Sequence, residues 1–245
     1  MADRYFVERP IDGPRAHLAG GEAHHLIHVM RAESGHRVTL FDGSGAEFSA
    51  RVESVGRTDV ELSITDRVET DRELPFRLTL AVAMPKGDRQ RWLVEKATEL
   101  GIARLVPLVT ERSGGQTTAT SASKLRRAVI EASKQCGRNR LMKIAPPRAW
   151  AELLHDSAND SLRLFAHPGA PTWAGATQQR SPTDSPRDVA IAIGPEGGFT
   201  DEECDAALAA GWQAVGLGPR TLRVETAALA LSAAVIAARS PATSS

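Results

Sequence analysis

Alternating hydrophobic and polar residues mark the N-terminal part of the chain, and this period of two predicts β-strands. Arg37–Phe41 runs into a turn at Asp42–Gly45, and the alternation returns over Glu47–Val55 and Asp59–Val68. A helical pattern occupies Gly21–Arg31 before these strands. We therefore expect a small β-barrel that carries one helix.

After Pro75 the pattern changes to apolar runs that alternate with helical stretches, which predicts a mostly parallel α/β sheet. The predicted strands are Arg77–Met84, Ile102–Leu108, Leu162–Ala166, Val189–Ile193 and Ala214–Leu217. Helices are predicted at Asp88–Leu100, at Ser123 to about Gly137, at Ala149–Leu154, after Thr200 up to Ala210, and at Glu225–Arg239. Asp88 is expected to cap the first of these helices, and Thr200 and Glu203 have the spacing of a capping box for the helix that ends at Ala210. The polar stretch before Pro75 places a domain boundary between residues 1–73 and 74–245.

Two glycine-rich turns, Gly194–Phe199 and Gly216–Arg220, each follow a predicted buried strand and precede a helical pattern. Glycine permits close approach of a ligand to the backbone, and open α/β sheets bind ligands at the carboxyl ends of their strands. If the two strands are neighbours, the turns form a binding crevice. Neither turn matches the common nucleotide-binding fingerprints, and a tight turn without a ligand is the alternative.

The composition is that of an ordinary globular protein, with 42% hydrophobic and 24% charged residues. No apolar run approaches the ~20 residues of a membrane span, and two cysteines, Cys136 and Cys204, are too few for a disulfide framework. We therefore expect a cytoplasmic protein. Net charge is zero, yet residues 74–150 carry 15 Lys and Arg against 5 acidic residues. This basic middle section indicates either a surface for a polyanion or solvated helix faces.

The glycine turns lie in two longer motifs, Ile193–Thr200 with Glu202-Glu203 and Leu217–Ala227. Together they resemble the RsmE family, small-subunit ribosomal RNA methyltransferases of the SPOUT superfamily that make N3-methyluridine in 16S RNA. Supporting motifs are Lys86–Asp88, Glu95–Gly101, Glu111–Ser113, Glu131–Arg138 and His24–Arg31. The polar loop from Pro168 to Asp188 looks longer or more irregular than the family pattern, so no feature is carried over there.

The resemblance implies a PUA-like β-barrel for RNA recognition, followed by an α/β methyltransferase domain with a deep trefoil knot that works as a homodimer. It also implies that S-adenosylmethionine lies among three loops, Leu164–Pro168, Ile193–Gly198 and Leu217–Val224. Leu217 and Leu222 would sandwich the adenine. The implied cofactor-binding residues are Leu164, His167, Ile193, Gly194, Glu196, Gly197, Gly198, Leu217, Gly218, Leu222, Arg223 and Thr226.

Methylation of a uridine at N3 requires removal of a weakly acidic N–H proton. A cation beside the uracil oxygens would lower the pKa of that proton, and Arg220 and Arg223 follow the second glycine turn. Glu196 or Glu225 would act as base, or would instead orient an arginine or cap a helix. A purely structural salt bridge is the alternative for all four residues.

The basic residues expected to contact RNA are Arg4, Arg9, Lys86, Arg89, Arg112, Arg126, Arg127, Lys134, Arg138 and Arg140. Some of them are expected to pair with acidic residues instead. His24 and His28 have the i, i+4 spacing of metal ligands, but no third ligand is evident, so no metal is predicted.

The expected activity is S-adenosylmethionine-dependent methylation of a uridine N3 in 16S RNA, with the assembled small subunit as the expected partner. Two alternatives stay open. One is a non-catalytic RNA-binding protein on the same scaffold, and the other is a methyltransferase for a ribose 2′-OH in transfer RNA.

Overall fold

In the computed structural model, described for residues 3–113, 122–155, 162–172 and 188–239, the backbone divides into two units. The first unit comprises Met1–Glu73 and Ile130–Leu141, and the second comprises Leu74–Val129 and Met142–Ser245. Among the described residues, no helix is both long and apolar enough to cross a bilayer.

The alternating N-terminal segments form a five-stranded sheet in the first unit. Its strands are β1 (Arg4–Phe6), β2 (Arg15–Ala19), β3 (Arg37–Phe41), β4 (Ala46–Val55) and β5 (Asp59–Glu69). Their order is β1-β3-β4-β5-β2, with β1 parallel to β3 and the other pairs antiparallel. Alternation along β4 buries Phe48, Ala50 and Val52 in the core of this unit. The pattern predicted β3, β4 and β5 correctly but missed the short strands β1 and β2.

The predicted N-terminal helix has a change of geometry within it. Helix α1 (Gly20–His24) continues directly into a π-helical turn at His25–Val29, in which Leu26 is fully buried. Arg31 then adopts a positive φ of 51°, which is uncommon for a residue with a side chain. The apolar pattern predicted the helix but not its π turn.

The second unit contains a seven-stranded sheet in which every pair is parallel, as the alternating pattern predicted. Its strands are β6 (Arg77–Val82), β7 (Arg104–Val109), β8 (Lys143–Ile144), β9 (Arg148–Ala149), β10 (Leu162–Ala166), β11 (Asp188–Ile193) and β12 (Gln213–Val215). The order is β12-β10-β11-β6-β7-β8, and β9 also pairs with β7. Continuous apolar runs suit strands that are covered on both faces.

Within the described ranges, five further helices are α2 (Asp88–Glu99), α3 (Ala122–Cys136), α4 (Trp150–His155), α5 (Asp201–Ala209) and α6 (Val224–Arg239). The predicted capping box of α5 is confirmed. Thr200 Oγ1 accepts from the Glu203 N–H at 3.2 Å, and Glu203 Oε2 accepts from the Thr200 N–H at 3.0 Å. The predicted cap of α2 is wrong, because Asp88 is the first helical residue and follows Gly87, which has a φ of 66°.

Helix α3 belongs to both units. From Ile130 onward it is part of the first unit, where Ile130 packs with Phe6, Phe41 and Leu141. The sequence placed residues 74–245 in one functional domain, and that division stays a prediction. Compactness of the backbone additionally assigns the short segment Ile130–Leu141 to the first unit.

Candidate functional site

The two glycine turns lie at the carboxyl ends of parallel strands, as expected, but the strands that lead into them are not neighbours. The first turn follows β11 and the second follows β12. Strand β10 lies between these two strands and pairs with β11 on one edge and with β12 on the other. The condition that the two strands be neighbours is therefore not met, because β10 lies between them. Three chain segments meet at this edge, and the one after β10 contributes Ala166, His167 and Pro168.

A cavity of about 340 Å³ lies between these segments, within the range of about 300–1,000 Å³ that is typical of ligand sites. Ten residues that the sequence assigned to cofactor binding or catalysis line it: His167, Ile193, Gly194, Glu196, Gly197, Gly198, Leu217, Gly218, Arg220 and Leu222. Apolar side chains of Ile193, Leu217 and Leu222 form part of the wall, while the glycines present main chain to the space.

Four residues named from the sequence are not among the residues that line this cavity. Leu164 is fully buried within β10, and Arg223 and Thr226 are exposed beside the first turn of α6. Glu225 is buried at the start of α6, where its Oε1 lies 3.5 Å from Arg89 Nη1. Of the four catalytic candidates, the structure thus brings Glu196 and Arg220 to the cavity, and both are exposed at its rim.

Two glycines of the lining have backbone conformations that favour glycine. Gly198 has a φ of 71° and Gly218 a φ of 97°, and a Cβ atom added to either would meet nothing within 4 Å. A side chain at these positions would therefore be strained and would extend into unfilled space. At Gly194 an added Cβ would lie 3.1 Å from the ring of Phe199. The lining fits a ligand that is held by main-chain N–H and C=O groups against apolar side chains.

Arg112 also lines the cavity, although its charge suggested an RNA contact instead. Its Nη1 donates to the carbonyl of Gly197 at 2.9 Å and to that of Phe199 at 3.2 Å. The motif Glu111–Ser113 marked this position as noteworthy in the sequence. Its pairing with main-chain carbonyls about 85 residues away was not predictable from charge.

Titratable groups near the start of α5 do not provide a nucleophile. Burial raises the pKa of the Cys204 thiol, and the neighbouring carboxylates Asp201 and Glu203 raise it further. Hydrogen bonds from its own backbone N–H and from the Thr200 hydroxyl lower the pKa of Glu202. Cys204 therefore stays a neutral thiol at physiological pH, which disfavours covalent catalysis through sulfur.

The predicted RNA-contacting residues separate into two groups. Arg9, Lys86, Arg112, Arg126, Arg127 and Arg140 are exposed, and Arg89 is half-buried. Three others form short ion pairs inside the first unit: Arg4 with Glu47 at 2.6 Å, Lys134 with Glu22 at 3.0 Å, and Arg138 with Glu73 at 2.6 Å. Arg138 is only 4% exposed. These three pairings are the acid contacts that the sequence analysis expected for part of the set.

The histidines of the first unit lie in a region rich in metal-binding residue types. The rings of His24 and His28 are 4.6 Å apart. Within the described part of the chain, donor atoms of His17, Asp59 and Glu61 come within 4.8 Å of one another. All three side chains are about half exposed, and His17 Nε2 lies 3.3 Å from Asp59 Oδ2, so a surface hydrogen bond explains the cluster.

Comparison with known proteins connects both units to RNA methylation. The profile of an RNA methyltransferase domain matches residues 72–236, and that of an RNA methyltransferase PUA domain matches residues 18–65. Ribosomal RNA small subunit methyltransferase E of Bacillus subtilis is 30% identical over 244 residues, which is 94% of each chain. The protein of the same name from Synechocystis is 32% identical over 86% of this chain and 69% of its own.

Solved structures show the same fold. A methyltransferase of Legionella pneumophila, solved with its cofactor S-adenosylmethionine bound, superimposes with a TM-score of 0.87 at 33% identity, over 97% of this chain and 98% of its own. Ribosomal RNA small subunit methyltransferase E of Neisseria gonorrhoeae, bound to S-adenosylmethionine, gives a TM-score of 0.85 at 30% identity, over 96% and 97% of the two chains. The predicted α/β methyltransferase fold with an N-terminal PUA-like part is thereby confirmed.

Proposed function

Because this chain belongs to the RNA methyltransferase family, we propose that it methylates N3 of a uridine in 16S ribosomal RNA with S-adenosylmethionine as the methyl donor. The cavity at the ends of β10, β11 and β12 carries the proposal. It lies in the part of the chain that matches the methyltransferase domain, and its glycines leave room for a ligand that the relatives from Legionella and Neisseria hold.

The residues that would hold the donor are those of the cavity wall. Main chain at Gly194, Gly197, Gly198 and Gly218 offers hydrogen bonds, and Leu217 and Leu222 supply apolar surface for the adenine. Leu164 would contribute indirectly, because its side chain is fully buried within β10 and does not line the cavity. His167 and Ile193 complete the wall, whereas Arg223 and Thr226 are exposed at the start of α6. When bound, S-adenosylmethionine supplies a methyl group activated by a positively charged sulfur.

Arg220 and Glu196 are the residues at the cavity rim that suit the chemistry at N3. A guanidinium beside a uracil oxygen stabilises the anion that forms as the N3 proton leaves, and a carboxylate accepts that proton. The N3 lone pair then forms the new N–C bond as the bond between carbon and sulfur breaks. The ion pair of Glu225 with Arg89 keeps the start of α6 in place.

RNA binding follows from the distribution of charge and from the second matched domain. We assign RNA recognition to the PUA-like domain, residues 1–73, and catalysis to residues 74–245, with the knotted, dimeric arrangement of the family. Arg9, Lys86, Arg89, Arg126, Arg127 and Arg140 are the phosphate contacts in this proposal. Arg4, Lys134 and Arg138 are left out because their side chains are at most 15% exposed and lie within 3.0 Å of an acidic side chain. The proposed setting is the cytoplasm, and the proposed substrate is the assembled small subunit.

The test is incubation of the purified protein with labelled S-adenosylmethionine and small subunits that lack the modification, followed by nucleoside analysis by mass spectrometry. N3-methyluridine is the expected product. A 2′-O-methylated nucleoside formed in transfer RNA would identify the alternative methyltransferase. Saturable RNA binding without transfer to either RNA would identify a non-catalytic binding protein. Small subunits that already carry the modification serve as the control that should take up no label.

Reversing the charge of Arg126 and Arg127, both exposed on α3, is expected to weaken RNA binding and flatten its salt dependence. The plot of log K against log salt has a negative slope, and each lost phosphate contact should reduce the magnitude of that slope by about 0.7 to 0.9. Titrations of Arg126→Glu with Arg127→Glu at several salt concentrations measure this slope. The double Lys variant keeps both charges and should keep the slope. A Glu variant with an unaltered slope would remove these residues from the RNA surface.

A further inference from the structure

Arg112 lies in a short turn, Thr110–Ser113, at the end of β7, and hydrogen bonds between Thr110 and Ser113 close this turn. The Thr110 N–H donates to Ser113 Oγ at 3.0 Å, the two hydroxyl oxygens are 3.0 Å apart, and the Ser113 N–H donates to the Thr110 carbonyl at 3.1 Å. The turn therefore presents the Arg112 side chain from a defined backbone position.

The guanidinium contacts the glycine turn at two points. One terminal nitrogen, Nη1, donates to the carbonyls of Gly197 and Phe199, which lie on either side of Gly198. The aliphatic part of the side chain lies over Gly197, since a Cβ added there would be 3.5 Å from both Cβ and Cδ of Arg112. A single side chain thus holds the peptide group that precedes Gly198 and the one that follows Phe199.

A second connection joins the same two segments. Glu203 Oε1 accepts from the Glu111 N–H at 2.9 Å, and its Oε2 accepts from the Thr200 N–H at 3.0 Å. The residue before Arg112 is therefore tied to the end of the glycine turn and to the cap of α5. Contacts at both places restrict how the turn can move relative to β7.

We propose that Arg112 is a positioning residue that preorganises the glycine turn for the methyl donor, and not a phosphate contact for RNA. Glycine has the largest backbone freedom to lose on ordering, so a turn that binds through main chain gains most from being fixed beforehand. With these two carbonyls held by the guanidinium, the peptide groups that precede Gly198 and follow Phe199 are oriented before a ligand arrives. The inference rests on the proposed function, because it assigns the donor to this cavity.

The test is calorimetric titration of S-adenosylmethionine into the full-length protein in the absence of RNA. Arg112→Gln is expected to raise Kd by about 10- to 100-fold, as for the loss of charge-assisted hydrogen bonds. Arg112→Lys should recover part of the affinity, because an ammonium group can still donate to carbonyls. Arg91→Gln is the matched control. It removes an equally charged residue of the same unit that pairs with Glu95, and it should bind as the wild type does.

Kinetic measurements and RNA-binding titrations distinguish a specific effect on the donor site from a general loss of structure. The KM for S-adenosylmethionine should rise with Kd, while kcat at saturating donor and the salt slope of RNA binding stay close to wild type. Should Arg112→Gln bind the donor normally and lose RNA affinity with a flatter salt slope, Arg112 is a phosphate contact and the inference is wrong. If Arg112→Gln does not fold, Arg112→Met keeps the aliphatic part of the side chain but cannot donate to the carbonyls, and wild-type Kd and KM in that variant would overturn the inference equally. Failure of the wild-type protein to bind the donor would instead overturn the proposed function as well.

Discussion

Replacing Gly216 with alanine is expected to destabilise the second unit by about 3 kcal/mol or more, at the upper end of what overpacking usually costs. A Cβ atom at this position would lie 2.0 Å from the carbonyl oxygen of Ala170 and 3.0 Å from its carbonyl carbon. Both are backbone atoms, so no side chain can rotate away to make room. The Gly216 N–H also donates to the Pro171 carbonyl at 2.8 Å, which would have to lengthen or break.

Thermal unfolding followed by circular dichroism measures the effect. For a domain of this size, we expect the melting temperature to fall by roughly 6–12 °C. Gly197→Ala is the matched control, because its added Cβ would make only ordinary contacts at 3.5 Å. A Gly216→Ala melting temperature within about 1 °C of wild type, on the same scale, would show that residues 170–172 do not lie against β12 as they do here.

The crowding at Gly216 also explains why the sequence could identify the glycine turns without giving their use. Glycine after an apolar run indicates that another group approaches the backbone closely, but it does not indicate whether that group is a ligand or another part of the chain. At Gly216 the backbone of the segment after β10 lies close, whereas Gly198 and Gly218 face unfilled space beside the cavity. The same residue type thus serves packing at one position and an open lining at two others. Only the arrangement of strands distinguishes these cases.

Most strands and helices followed from local pattern, because periodicity and caps act over a few residues. The apolar run that became β11 and the capping box of α5 are examples. Strand order depends instead on how distant segments pack, and the sequence has no local signal for it. The position of β10 between β11 and β12 was missed for that reason. The three-residue strand β1 was also missed, since a run that short shows no period.

The candidate site shows the same division between local and distant information. Glu196 and Arg220 lie within the glycine turns in sequence, and their place at the rim followed from the turns. Glu225 follows the second turn by only a few residues, yet the first turn of α6 directs it to Arg89 and away from the cavity lining. Arg112 was grouped with the RNA contacts because of its charge, although it also lies in the motif Glu111–Ser113. Its acceptors are main-chain carbonyls, which every residue carries and no pattern reveals.

Replacing Gly198 with valine is expected to abolish measurable binding of S-adenosylmethionine while the first unit stays folded. The φ of 71° at this position is costly for a β-branched residue, by roughly 1–3 kcal/mol. The new side chain would also extend into space beside a cavity of only about 340 Å³. Strain and occlusion act together here, so we expect Kd to rise by at least about 100-fold, which corresponds to roughly 3 kcal/mol.

A Gly198→Asn variant separates these two causes, because asparagine adopts positive φ more readily than valine does. Loss of binding in both variants would assign the effect to occlusion, whereas recovery in the Asn variant would assign it to backbone strain. Calorimetry measures Kd, and amide hydrogen exchange over β4 and β5 reports whether the first unit is intact. A Val variant that binds S-adenosylmethionine as tightly as wild type would show that the donor does not approach Gly198. The main chain of the first glycine turn would then have no part in holding it.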